Sequence, residues 1–258
     1  YTSRANMVGV VTNGTAVLQF ASGSQLTVSG GLTVGGNNGN RLGSIVMTSG
    51  GTLQIGTTVT ISQTGGAWTP GAGTVEYNGT AQTLPATWMT TYNNLALSGS
   101  GTDTLGAATI VNGDMTINSG ITLAMSTFLL TLNGNFTNNG NTTSGSGGVT
   151  ISGTGTQSIG AFTTTGTVTV NKASGTATLT GNVNGAALTS TAGTLNLGSA
   201  LTHTFTGTWT RTAGTLDGGS STLNLNGTTS GTGAAFTAGT GTVTYGGTAA
   251  QTIANVNY

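Results

Sequence analysis

The segment GTVEYNGTAQTL, Gly73 to Leu84, contains the pattern from which the fold follows. Val75 and Tyr77 alternate with polar residues, which is the period-2 pattern of a strand with one buried face. Asn78 and Gly79 come next, and both residue types adopt the left-handed backbone conformations that a tight turn needs. We therefore expect a short strand that ends in a corner.

This pattern recurs twice, as GSGGVTISGTGTQSI from Gly145 to Ile159 and as GTVTYGGTAAQTI from Gly241 to Ile253. The full copies lie near residues 67–84, 145–159 and 235–253. Recurrence of a supersecondary unit is the sequence signature of a repeat protein. The residues that take equivalent places are Val75, Val149 and Val243, then Tyr77, Ile151 and Tyr245, and then Gln82, Gln157 and Gln251.

Similar apolar–polar–apolar triplets occur along most of the chain, and strands this short cannot bury an apolar face alone. From Val149 onward the triplets begin at residues 149, 168, 195, 223 and 243, at intervals of 19, 27, 28 and 20. These intervals suit three short strands and their corners in each coil of about 22 residues. We predict an all-β protein with one elongated β-solenoid (a parallel β-helix) of about 11 or 12 coils over residues 1–258. The alternative is a β-sandwich array of hairpins.

The composition excludes several classes of function. Only 3% of the residues are charged, the formal net charge is +0 and the chain has no cysteine. Nucleic-acid binding needs several Lys or Arg on one face, and disulfides or Cys-ligated metals need cysteine. No apolar run approaches the roughly 18 residues of a membrane-spanning helix. We expect no nucleic-acid partner, no membrane span and no cofactor.

The acidic residues offer little for catalysis or metal binding. They are Glu76, Asp103, Asp114 and Asp217. Asp103 and Asp114 could lie on neighbouring corners of one coil, and they are the candidate ligands for calcium, which takes six to eight oxygens. The competing interpretation is two solvated turn acids. We predict no catalytic residues.

The segment THTFTGTWTRT, from Thr202 to Thr212, alternates Thr with other residues. A flat array of Thr-x-Thr units is typical of an ice-binding surface, whereas burial of Phe205 and Trp209 would leave the Thr side chains facing solvent without that function. His203 is the single histidine, and we expect it at the surface or in a ladder rather than in a catalytic triad. Trp88 lies in the irregular insert PATWMTTY, and it is the candidate for an exposed aromatic contact.

The chain resembles the β-strand-repeat segments of large bacterial surface proteins, of the adhesin and autotransporter-passenger kind. The residues that carry the resemblance are the segments 73–84 and 241–253 quoted above and TYNNLALSGSGTDTL from Thr91 to Leu105. The resemblance implies an extracellular or cell-surface stalk, filament or adhesive fibre with no catalytic residues, and a glycan or cell-surface target.

The last copy of the pattern places Tyr258 where Tyr92 stands in the first copy. In the first copy another strand follows Tyr92, so we expect either that the natural protein is longer or that another subunit completes an open coil at Tyr258. An open coil has unpaired strand edges and predicts head-to-tail association with further copies of the chain. An ice- or polysaccharide-binding solenoid is the alternative function.

Overall fold

The computed structural model describes residues 14–36, 41–143 and 145–258. It is an all-β protein of mostly parallel strands stacked as a β-solenoid of about 10 turns, which confirms the predicted fold class. A turn contains up to three strands, one on each of three faces that we name A, B and C. Within the described part of the chain, no helix is long and apolar enough to cross a membrane.

Each face is a column of strands, one above the other, and most neighbouring strands in a column pair in parallel. Face A contains β1 Gly14–Gln19, β4 Arg41–Val46, β7 Trp68–Thr69, β9 Thr91–Tyr92, β12 Thr109–Val111, β15 Leu130–Leu132, β18 Val149–Ile151, the first half of β21 Thr167–Leu179, the first half of β23 Ala187–Asn196, β25 Trp209–Arg211 and β28 Thr229–Ser230.

Face B contains β2 Gln25–Val28, β5 Thr52–Ile55, β8 Thr74–Tyr77, β10 Asn94–Leu97, β13 Met115–Ile117, β16 Phe136–Asn138, β19 Gln157–Ile159, the second halves of β21 and β23, β26 Thr215–Asp217 and β29 Ala235–Thr237. Face C contains β3 Leu32–Val34, β6 Val59–Ile61, β11 Gly101–Thr104, β14 Ile121–Ala124, β17 Asn141–Thr143, β20 Phe162–Thr163, β22 Val183–Gly185, β24 Ser199–Phe205, β27 Ser220–Leu225 and β30 Thr242–Tyr245.

The core is built from columns of inward-facing apolar residues. On face B, residues in register on successive turns are at most 2% exposed: Leu53, Val75, Leu95, Met115 and Phe136. Each of these side chains lies between its equivalents above and below, so burial requires neighbouring turns.

The turns are more regular than the triplet intervals suggest. Val149 pairs with Val168, 19 residues on, and Leu223 pairs with Val243, 20 residues on. The intervals of 27 and 28 arise because Leu195 lies on face B and Leu223 on face C, so that each interval is one turn plus one face. The described residues form about 10 turns, whereas 11 or 12 were predicted for residues 1–258, of which residues 1–13 lie outside the described part. The first paired turns take 27 residues (41 − 14), and residues 246–258 form no strand.

The three copies of the repeated pattern lie on three different faces. Val75 is in β8 on face B, Val149 is in β18 on face A, and Val243 is in β30 on face C. The copies are 74 and 94 residues apart (149 − 75 and 243 − 149). Each separation equals a whole number of turns plus the length of about two further faces, so each copy begins on a different face. The interior therefore accepts the same pattern on any face.

A glutamine binds two backbone carbonyls at a corner in each copy, and it is buried in the first two copies and half-buried in the third. Gln82 Nε2 donates to the carbonyl oxygens of Ile55 (3.0 Å) and Thr57 (2.5 Å), where the strand one turn earlier ends. Gln157 binds the carbonyls of Leu132 and Gly134 in the same way, and Gln251 binds those of Leu225 and Gly227. The sequence equivalence of the three glutamines is thus a structural equivalence at three corners.

Glycine is needed where corners stack closely. A Cβ added to Gly79 would lie 1.9 Å from the carbonyl oxygen of Gly56, and one added to Gly99 would lie 2.1 Å from that of Gly79. Gly99 also has a φ of +98°, which L-residues rarely adopt. The backbones of successive turns therefore touch at this corner, and a side chain would separate them.

Replacing Gln82 with Ala should lower the free energy of unfolding by about 2 kcal/mol, because buried carbonyls and the amide of Gly79 lose their partner. Urea unfolding would measure this change. The matched control is Gln25→Ala at an exposed position, which should cost about 0.5 kcal/mol or less. Equal losses in the two variants would contradict a special role for Gln82.

Candidate functional site

Face C presents a regular polar surface on its outer side. Two columns of outward side chains run over successive turns and contain no charged residue. The first column is Asn182, Thr202, Thr222 and Thr242, and the second is Thr163, Asn184, Thr204, Asn224 and Thr244. Outward residues two apart on a strand are separated by about 6.6 Å, and turns are separated by about 4.8 Å. The surface is a lattice of hydroxyl and amide groups.

Face A has a threonine column that the triplet spacing does not reveal. Five turns in succession place a half-buried threonine at the same outward position: Thr131, Thr150, Thr169, Thr189 and Thr210. The signal in the sequence is a threonine every 19 to 21 residues. It is hidden because many other threonines lie between these positions.

The segment from Thr202 to Thr212 bends around a corner. Phe205 and Trp209 are each 1% exposed, as the interpretation with both rings in the core requires. Thr202 and Thr204 belong to face C, whereas Thr210 belongs to face A, with Gly207 between the strands. The segment is therefore not one flat array, and each half joins a column built from several turns.

Asp103 lies inside the solenoid, so its description as a solvated turn acid is wrong. Its side chain is 0% exposed, because β11 places it on the inner side of face C. Oδ1 accepts a hydrogen bond from the amide of Gln82 at 2.8 Å, and Oδ2 has no hydrogen-bond partner within the described ranges. Burial raises the pKa of Asp103, and the bond from Gln82 offsets part of that rise.

Asp114, the other candidate calcium ligand, is exposed. Its Oδ1 accepts hydrogen bonds from both the backbone N–H and the side-chain amide of Asn135, each at 3.0 Å. Asp103 faces the interior and Asp114 faces solvent, so the two carboxylates do not share one surface. Among the residues that the structure describes, no group of three or more His, Cys, Asp or Glu side chains could bind a metal ion.

A tyrosine pair lies near Asp103. The hydroxyls of Tyr77 and Tyr92 are 3.1 Å apart, and both residues are 0% exposed. Burial raises the pKa of both phenols, and the charge of Asp103 adds to the rise at Tyr77. These groups favour neutral forms, because an ionised group here would lose its hydration without gaining a partner of opposite charge.

His203 also lies in the core rather than at the surface. Its Nδ1 accepts a hydrogen bond from the amide of Val183 at 3.1 Å, and its Nε2 is 2.9 Å from the carbonyl oxygen of Leu197. An amide only donates and a carbonyl only accepts, so these partners select the neutral tautomer with the proton on Nε2. Burial lowers the pKa of His203. The ring therefore links the backbone of two successive turns at the corner between face B and face C.

Lys172 is a buried cation that the sequence reasoning missed. It is 1% exposed, and its Nζ donates to the carbonyl of Gly155 at 2.9 Å and to Gln157 Oε1 at 2.5 Å. In the other two copies of the repeat a glycine amide donates to the glutamine instead. Lys172 is therefore a local substitute for a backbone donor, and burial lowers its pKa.

Trp88 lies half-buried against the core, so only part of its ring is available for contact. The ring centroid is 6.1 Å from that of Trp68, and its Nε1 is buried without a partner among the described residues. The backbone of Trp88 has a φ of +68°, a strained conformation for a bulky residue. The backbone of the insert thus places the ring of Trp88 against the ring of Trp68.

The last turn exposes an apolar surface that we name the end face. It comprises Phe236, Val243, Tyr245, Ile253 and Tyr258, and these residues line an open hollow. The hydroxyls of Tyr245 and Tyr258 are hydrogen-bonded, as those of Tyr77 and Tyr92 are in the first copy, which confirms the predicted equivalence of Tyr258 and Tyr92. Tyr258 is 54% exposed, whereas Tyr92 is fully buried.

Replacing Asp103 with Asn should stabilise the protein at neutral pH, on the order of 1 kcal/mol, because the amide keeps the bond to Gln82 and cannot ionise. The folded-state pKa of Asp103 is raised, so its stability cost grows as pH rises from about 4, the unfolded value. The advantage of the variant should therefore vanish in acid.

Thermal unfolding of both proteins across a pH series would measure this difference. The matched control is Asp114→Asn, which should change stability by about 0.5 kcal/mol or less at neutral pH, because Asp114 is exposed. A pH-independent effect of Asp103→Asn would contradict the assignment.

Comparisons with known proteins assign no family to this chain. No protein-family model matches it, and neither a curated protein nor a solved structure matches it. The fold is therefore established by the strand pairing of the chain itself.

Proposed function

We propose that this chain is a non-enzymatic structural protein that forms part of an extracellular fibre, filament or adhesin stalk. The observation that carries the proposal is the placement of one repeated pattern on faces B, A and C in turn. Because every face accepts the same pattern, turns can be added without a change in the core. Such an architecture suits a rod whose length is set by the number of turns.

The outer surface supports this role. Polar side chains form hydrogen-bonded ladders from turn to turn, such as Gln54 Nε2 to Glu76 Oε2 at 2.7 Å and Asn133 Nδ2 to Asn112 Oδ1 at 2.9 Å. Only 3% of the residues are charged, so little repulsion opposes association between rods. The resemblance to bacterial surface repeats supports a location outside the cell and a glycan or cell-surface target.

Electron microscopy of the native material should show rods with an axial repeat of about 4.8 Å, the separation of paired strands. About 10 turns give on the order of 50 Å of rod for each chain. The rods should resist protease, because few backbone segments leave the ladders. Isolated chains in the native material, with no rod or fibre, would contradict the proposal.

A second candidate function is binding to ice or to a crystalline polysaccharide. The observation in its favour is the outer lattice of face C, where Thr202 and Thr204, Thr222 and Asn224, and Thr242 and Thr244 align on successive turns. Uncharged hydroxyl and amide groups at regular spacing can bind a ligand that is itself periodic.

Thr204→Lys and Thr244→Lys together should abolish thermal hysteresis, or weaken polysaccharide binding about tenfold or more, because the charged side chains protrude from the lattice. The matched control is Thr137→Lys, an exposed position on face B, which should change neither quantity. The absence of both activities in the unaltered protein would remove this candidate.

A further inference from the structure

We infer that the rod contains a joint, at which the turns up to residue 69 bend about face B relative to the turns from residue 91 onward. The joint lies at the boundary between residues 57–69 and residues 79–92, which we name the seam. On face B, β8 pairs with both β5 and β10, whereas the ladders of faces A and C stop at the seam. This inference goes beyond the proposed function, because it concerns how the rod moves.

The strands on the two sides of the seam do not pair with each other. Within the described ranges, β6 pairs only with β3 and β7 pairs only with β4, so each has one open edge. On the other side, in the same ranges, β9 pairs only with β12, and the bridges of Thr80 and Thr83 lead to the next turn. One backbone ladder, on face B, therefore crosses the seam.

Other boundaries between turns have more backbone pairing. Strands β12, β13 and β14 pair with β15, β16 and β17, so that boundary is crossed on all three faces. Face C also stops between β17 and β20, but face A continues there from β15 through β18 to β21. Among the described turns, the seam is thus the boundary at which faces A and C both lack a ladder, and the resistance to bending is lowest there.

The sequence explains why the ladders stop. The insert from Pro85 to Tyr92 lies in the turn after β7, and proline has no amide N–H to donate to a neighbouring turn. Trp88 has a φ of +68°, a left-handed conformation that interrupts strand geometry. The amide of Met89 donates to the carbonyl oxygen of Thr87 at 2.8 Å, inside the insert itself. The insert thus uses its backbone groups locally and does not extend the ladders.

Side chains bridge the seam where the backbone does not. On face A, Trp68 Nε1 donates to the carbonyl oxygen of Thr91 at 2.6 Å, and the Trp68 ring lies 6.1 Å from that of Trp88. At the corner between faces B and C, Gln82 Nε2 donates to the carbonyl oxygen of Thr57 at 2.5 Å. We name Trp68, Trp88 and Gln82 the latch.

Opening of the latch bends the rod about face B. Regions with few backbone hydrogen bonds open at a lower free energy than the rest of a structure. The pairing of β5, β8 and β10 stays intact in this motion, so face B acts as the hinge while faces A and C separate. The two parts of the rod can then turn relative to each other while each part stays folded.

Distances between spin labels test the joint in the intact chain, because the sequence has no cysteine. The first pair is Gln19→Cys with Ile110→Cys, which spans four turns of face A across the seam. The control pair is Ile110→Cys with Thr189→Cys, which spans four turns of face A beyond the seam. We expect the distance distribution of the first pair to be about twice as wide or more, because bending changes that distance. Equal widths would overturn the joint.

Hydrogen exchange of indole groups, followed by NMR, tests whether the latch opens as a unit. The Trp68 indole bridges the seam, whereas the Trp209 indole donates to Ser190 Oγ at 3.2 Å where the ladder of face A is continuous. Gln82→Ala should speed exchange at Trp68 about tenfold or more and leave Trp209 unchanged, because the two faces open together. The matched control is Gln157→Ala, the equivalent glutamine at a corner away from the seam, which should leave Trp68 unchanged.

The outcomes decide between a joint and a uniform rod. Faster exchange at Trp68 in the Gln82 variant alone supports the joint, and circular dichroism would show that each variant is folded. Equal effects of the two glutamine variants, or no effect of Gln82→Ala, would show that the latch does not open as a unit and overturn the inference. If Gln82→Ala does not fold, the spin-label widths decide alone. A rigid seam leaves the proposed structural function in place, because rods seen by electron microscopy test that function separately.

Discussion

The parallel stacking of turn on turn is the constraint on which the rest of this structure depends. A strand of three or four residues is stable here only because its backbone groups pair with the turns above and below and its inward side chains lie between equivalents. Stacking also limits the corners, since a Cβ at Gly79 would meet the carbonyl of Gly56 at 1.9 Å. The 47 glycines, few charges and repeated strand patterns are consistent with this one requirement.

The interior contains polar groups because corners break the ladders and leave carbonyls to be paired. Gln82, Gln157 and Gln251 pair them with side-chain amides, and His203 pairs one carbonyl while it accepts from one amide. Lys172 takes part in one such corner as a buried cation. Asp103 differs from these residues, since one of its oxygens has no partner among the described residues. Burial therefore favours the neutral form of that carboxyl.

The surfaces differ in chemistry although the core is the same on every face. Face C has two columns of threonine and asparagine, face A has one column of threonine, and the end face is apolar. Lateral surfaces of hydroxyl and amide groups suit hydrogen-bonded ladders or a periodic ligand. The two proposed functions thus both depend on the sides of the rod.

The sequence by itself determined the β-solenoid, the equivalence of the three repeat copies and the correspondence of Tyr258 with Tyr92, because these depend on local alternation and on turn residues. Only the tertiary structure decided which face each copy occupies and that Asp103 and His203 lie inside. The face depends on the summed lengths of all preceding corners, and a shift of one residue moves a side chain from outside to inside. The threonine column from Thr131 to Thr210 emerged only when five turns were in register, since its members are separated by about 20 residues of similar composition.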